Sequence, residues 1–183
     1  SEAYKKAHGK LTRLSPLKNK AQVEYNEKPI YRISSWLVKD AFQYLTRLPE
    51  ESLCFVAGQQ VRDNSYTLER LIKVNHEIQT SARAKAQVNS SAQALSEIDD
   101  YGASFTAHLH SHPFAGEGGT RPSNKDFKFQ SSLEGGGYVC IGGIFSRDGY
   151  LRFFSHQREF EVEITGSGVS RAGENLFLLA EDD

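Results

Sequence analysis

Apolar residues recur along this chain with two different periods. Behind Ser34 and Ser35, the residues Val38, Ala41, Phe42, Leu45 and Leu48 return at three- and four-residue steps. This predicts an N-capped amphipathic helix ending at Pro49, with an extended segment at 30–33 before it. Residues 52–59 (Ser-Leu-Cys-Phe-Val-Ala-Gly-Gln) form an apolar run too short for a helix, which predicts a strand buried on both faces. After the turn Arg62-Asp63-Asn64-Ser65, the residues Tyr66, Leu68, Ile72 and Val74 alternate in a strand reaching about Thr80. Val88, Ala92, Leu95 and Ile98 predict a second helix over 88–100, closed by Gly102. Residues 103–112 alternate with a period of two: Phe105, Ala107 and Leu109 point one way, while Thr106, His108, His110 and His112 point the other. Ser123 opens a helix to about Leu133, and Gly135-Gly136-Gly137 stops it. Further strands are expected near 138–146, 150–155 and 159–165, with a last one near 175–180. The pattern is that of an α+β domain, a mixed sheet flanked by two or three helices.

Composition narrows the function classes. At 183 residues, 38% apolar and 25% charged, the chain has the size and balance of one globular domain. Residues 1–28 stand apart as a polar extension, basic through Lys5, Lys6, Lys10, Arg13, Lys18 and Lys20, and residues 29–183 form the expected domain. A net charge of −1 argues against nucleic acid as a partner. No run approaches the roughly 18 apolar residues of a membrane span, and the polar N-terminus shows no secretory signal. Cys54 and Cys140 sit within apolar runs and read as buried thiols of a reducing compartment, so a cytoplasmic location is expected.

The chemistry concentrates between residues 108 and 126. His110 and His112, two positions apart on one strand, present both imidazoles to one face, where two nitrogens can converge on one ion. Pro113 helps end the strand, and the glycine-rich loop Phe114–Arg121 lets the chain fold back. Asp126 can then add a carboxylate oxygen, and three protein ligands leave a coordination position open, as in a catalytic zinc site. His108 and His110 are an equally spaced pair. His112, however, lies at the strand end nearest the helix carrying Asp126, which favours 110/112 and leaves His108 as a supporting or merely polar residue. Ser123 and Asp126 also form a good capping box, a purely structural use of both side chains. A general base is still needed. Glu50 and Glu51, at the mouth of the buried strand, are both candidates, and the residues alone do not choose between them.

The segment His110-Ser111-His112-Pro113 followed by Pro122-Ser123-x-x-Asp126 resembles the signature of JAMM (MPN-type, JAB-domain) zinc metalloproteases. Upstream, Glu51-Ser-Leu-Cys-Phe-Val-Ala-Gly58 is similar to that family's glutamate-bearing strand, with Cys54 where a glycine is common. The resemblance covers about residues 30–165 and implies an MPN/JAB-like, cytidine-deaminase-like fold. The ten residues between His112 and Ser123 exceed the family's common spacing and read as a longer active-site loop. The resemblance also selects Glu51 over Glu50. It implies Zn2+ held by His110, His112 and Asp126. Glu51 would take the proton of the attacking water and pass it to the leaving amine, and Ser123 would hydrogen-bond the oxyanion. The implied activity is an isopeptidase or peptidase cleaving after the C-terminus of a ubiquitin-like protein. Its expected partners are that protein, its conjugates and its activating and conjugating enzymes, as in antiviral defence systems. Two alternatives remain: C-terminal trimming of a ubiquitin-like sulfur carrier, and a non-catalytic MPN scaffold.

Overall fold

The computed structural model describes residues 28–73, 98 and 103–180. The basic extension lies outside the described residues except for Lys28, as does the predicted helix over 88–100 except for Ile98, a buried residue in helical conformation.

Strand β1 (Ile30–Ser34) leads into α1 (Ser35–Leu45), and Ser34 caps the helix by accepting from the Leu37 amide at 3.0 Å. The helix stops at the Thr46 cap, four residues short of the expected end, because Leu48 does not continue its buried stripe. Strands β2 (Leu53–Arg62) and β3 (Ser65–Lys73) form an antiparallel hairpin, then β4 (Ser104–Ser111) runs antiparallel to β2. Helix α2 (Asn124–Gly135) crosses from β4 to the parallel β5 (Ile141–Phe145). Next come β6 (Tyr150–Phe154), β7 (Glu161–Thr165), β8 (Val169–Gly173) and β9 (Leu176–Leu179). The nine strands of the described residues join one mixed sheet in the order β7-β1-β3-β2-β4-β5-β6-β9-β8. Strand β8 is the element that periodicity misses: Val-Ser-Arg-Ala-Gly on an exposed edge has no apolar face to reveal it.

Each face of the central strands packs its own core. On one side, Leu37, Val38, Ala41 and Leu45 of α1 cover Cys54, Val56, Ala107 and Leu109. On the other, Leu133 of α2 and Ile98 pack with Phe55, Ala57 and Phe105. Both cysteines are buried and unpaired, and burial raises their thiol pKa values. Every residue of β4 is buried, so its histidine-bearing face is covered as fully as its apolar one. Strand pattern reports that two faces differ; it does not report which of them a helix covers. The approach is tight enough that Gly142 of β5 admits no side chain: a Cβ there would lie 2.4 Å from the Phe154 ring and 2.9 Å from His108 Cε1.

Candidate metal centre

The end of β4 and the start of α2 bring His110, His112 and Asp126 together, with one ligand atom from each lying within 4.8 Å of the others. Asp126 Oδ1 is 3.1 Å from His110 Nε2, and Oδ2 is 3.3 Å from His112 Nε2. The two imidazole centroids are 5.1 Å apart. All three side chains are largely shielded from solvent.

The capping box is also formed. The Ser123 hydroxyl accepts from the Asp126 amide at 3.2 Å, and Asp126 Oδ2 accepts from the Ser123 amide at 2.7 Å. The structural and chemical uses of Asp126 therefore coexist: the cap fixes the carboxylate while both its oxygens face the imidazoles. A hydroxyl both accepts and donates, so the Ser123 O–H keeps a proton to give.

Orientation of the imidazoles follows from their outer partners. His112 Nδ1 lies 3.0 Å from the Gly119 carbonyl, which can only accept, so Nδ1 carries hydrogen and Nε2 turns to Asp126. Gly119 is a glycine for a steric reason: a Cβ there would approach the Phe114 carbonyl oxygen to 2.9 Å. His110 Nε2 is buried and lacks a hydrogen-bond partner, since its close approach to Oδ1 is not aligned as one. A buried imidazole nitrogen close to a carboxylate, with a second imidazole alongside, suits a divalent cation. The donor set of two imidazoles and one carboxylate fits zinc and leaves room for a further ligand. Electrostatics agrees. The hydrogen bond that protonated His112 donates to Asp126 raises the His112 pKa against the effect of burial, with smaller contributions including Glu51. Burial alone would raise the Asp126 pKa, but its contacts with both imidazoles and the Ser123 amide hold the carboxyl well below the usual range. The centre attracts positive charge.

Glu51 is exposed and stands at the edge of this group. The β2–β4 register pairs Leu53 with His110. The Ser52 amide donates to Ser111 Oγ at 3.1 Å, and the Ser111 amide donates to the Ser52 carbonyl at 3.0 Å. Glu51 lies next in the chain before Ser52, and its charge acts on His112.

His108 lies outside the three-residue group. Gln130 Nε2 donates to the Cys140 carbonyl at 2.9 Å, which leaves Oε1 to accept from His108 Nε2 at 2.7 Å. The His108 ring stacks 6.3 Å from His110 with an interplanar angle of 7° and meets Phe129 edge-on at 4.8 Å. Burial lowers its pKa to about 4, so it is neutral near pH 7.

The loop after Pro113 is less free than its glycines suggest. It contains a 3-10 turn (Glu117–Thr120) and is tied to the β5–β6 turn and to Arg152, whose Nε donates to Thr120 Oγ1 at 3.1 Å. Sequence reading missed Gly119, Gln130 and Arg152 as supports, because each acts through a contact remote in the chain.

No family model matches this chain, and no curated protein matches it either. Among solved structures, it is similar to protein DSY2949 from Desulfitobacterium hafniense, with a TM-score of 0.50, 16% identity, and coverage of 75% of this chain and 94% of that one. It is also similar to AF2198, a JAB1/MPN domain protein from Archaeoglobus fulgidus, with a TM-score of 0.45, 16% identity, and coverage of 77% and 99%. At such identity the first likeness shows a shared fold and says nothing of chemistry.

Proposed function

We propose that this chain is a zinc-dependent hydrolase of the JAMM/MPN type, cleaving after the C-terminus of a ubiquitin-like protein. One observation carries the reading: the Nε2 atoms of His110 and His112 converge with the Asp126 carboxylate, with Glu51 near enough for its charge to act on His112.

His110, His112 and Asp126 would hold the metal. Bound zinc supplies Lewis acidity toward water and a carbonyl oxygen, with no covalent intermediate. Glu51 takes a proton from the attacking water and returns it to the departing amine, a transfer its place at the rim of the group favours. Ser123, with its oxygen already accepting from the Asp126 amide, directs its O–H toward the developing oxyanion. Gly119 keeps the His112 Nε2 lone pair turned inward. The ubiquitin-like substrate is carried by the motif resemblance.

The test uses ubiquitin and ubiquitin-like proteins, each joined through its C-terminal glycine to a fluorescent lysine peptide. Cleavage that stops with a chelator, returns with zinc and falls by about 10²–10⁴ in Glu51→Gln is the expected result. Full activity of Glu51→Gln, or cleavage indifferent to the chelator, would contradict the mechanism.

A further inference from the structure

Two segments on either side of the candidate centre meet at one turn, residues 146–149 between β5 and β6. In one direction this turn holds the loop after β4. The Arg147 amide donates to the Phe114 carbonyl at 2.8 Å, and Asp148 Oδ1 accepts from the Gly116 amide at 2.8 Å and from the Ser146 hydroxyl at 2.7 Å. That loop supplies the Gly119 carbonyl to His112. In the other direction the Arg147 side chain reaches the segment between α1 and β2. Nη1 donates to the Thr46 carbonyl at 3.1 Å and Nη2 to the Glu50 carbonyl at 3.3 Å. Thr46 caps α1, and Glu50 immediately precedes Glu51.

We infer that Arg147 is a positioning residue for Glu51, its guanidinium bridging the Thr46 and Glu50 carbonyls so that Glu51 stays near His112. The inference rests on the reading of Glu51 as the general base. Glu51 is exposed and lies two residues before β2. On the β2 side, Ser52 is locked to Ser111, whose hydroxyl donates to the Leu45 carbonyl at 3.0 Å. On the other side, the bridge from Arg147 is the matching hold. A planar fork with fixed donors can span two carbonyls at once, whereas a lysine ammonium is a single point with a flexible stem. Because Arg147 sits in the turn that also holds the Phe114–Gly119 loop, base and metal ligand are referenced to one rigid element. Displacement of a reacting group by about 1 Å can cost on the order of 10² in rate, which sets the scale of its role.

Two readouts test this in Arg147→Ala and Arg147→Lys. The first is amide hydrogen exchange on metal-free protein. Exchange over residues 46–52 is expected to rise by about tenfold or more in Arg147→Ala, with β4 and α2 still protected. Zinc uptake should match the parent protein. The second is cleavage of the best-cleaved conjugate. Arg147→Ala should lose about 10–100-fold in kcat with KM held within about twofold, and Arg147→Lys should recover part of the loss. On a Glu51→Gln background, Arg147→Ala should add no further loss, since the group it positions is already gone. Unchanged exchange over 46–52, a rise spread over the whole sheet, or losses that multiply with Glu51→Gln would each overturn the inference alone. Full activity of Glu51→Gln would overturn it through the reading beneath it, and is told apart because no Arg147 variant is needed to see it.

Discussion

The two faces of β4 are built from adjacent residues of one strand and do different work. Toward α1, Ala107 and Leu109 fill an apolar core, and the Ser111 hydroxyl ties Leu45 to Ser52. Toward α2, His108, His110 and His112 form a column of imidazoles with ring centroids 6.3 and 5.1 Å apart, closed by Phe129, Gln130 and Asp126. Both faces are buried, so burial alone does not mark the candidate site. What marks it is unspent polarity: an unpaired His110 nitrogen and a carboxylate shared between two rings. The α1 face is apolar core, and the α2 face carries the candidate site.

Breaking the apolar face should give the largest change in stability. Leu109→Ala deletes a fully buried side chain and is expected to lose about 2–5 kcal/mol in urea unfolding, while the protein that remains folded still takes up zinc. Zinc lost in proportion to no unfolding would mean that the two faces are not separable.

Acid should sharpen the contrast from the other side. His108 has a folded pKa of about 4, below the unfolded value of about 6.5. The unfolded chain therefore binds the proton first, and stability falls as pH drops from 6.5 toward 4, then levels below that. The shift corresponds to about 3 kcal/mol, and it should separate metal-free parent protein from His108→Gln across that window. Parallel pH profiles for the two would remove His108 as the source. His112 acts with the opposite sign, because its raised pKa adds stability that is present below about 6.5 and fades as pH rises.

The smallest effect concerns Ser123. Ser123→Ala should cost about 1 kcal/mol by removing the α2 cap, and Ser123→Asp, which keeps an accepting oxygen, should restore it. Equal unfolding midpoints for the parent and Ser123→Ala would leave the capping box without energetic weight.

How much of this was legible beforehand depends on the range of the interaction. Helix α1, the buried β2, the alternating β4 and the capped α2 were all readable, since each is set by local period and end signals. The convergence of His110, His112 and Asp126 was approachable because a short loop joins strand to helix. Burial of the histidine face was not, since alternation looks the same under a helix as under water. Strand β8 left no trace, because an exposed Ser-Arg-Ala edge has no apolar period. Nor did the bridge from Arg147 to Glu50, which spans 97 residues. The effect of the Glu51 charge on His112 gives that residue a physical claim that the sequence had only by resemblance.

The central claim is a metal held by three named side chains, and its most direct test is zinc content. Metal-free protein titrated with zinc should bind about one ion per chain, and Asp126→Ala should lose that binding while retaining the fold. Failure of the parent protein to bind zinc, or an Asp126→Ala variant that binds it equally well, would contradict the account and leave Asp126 as a helix cap alone.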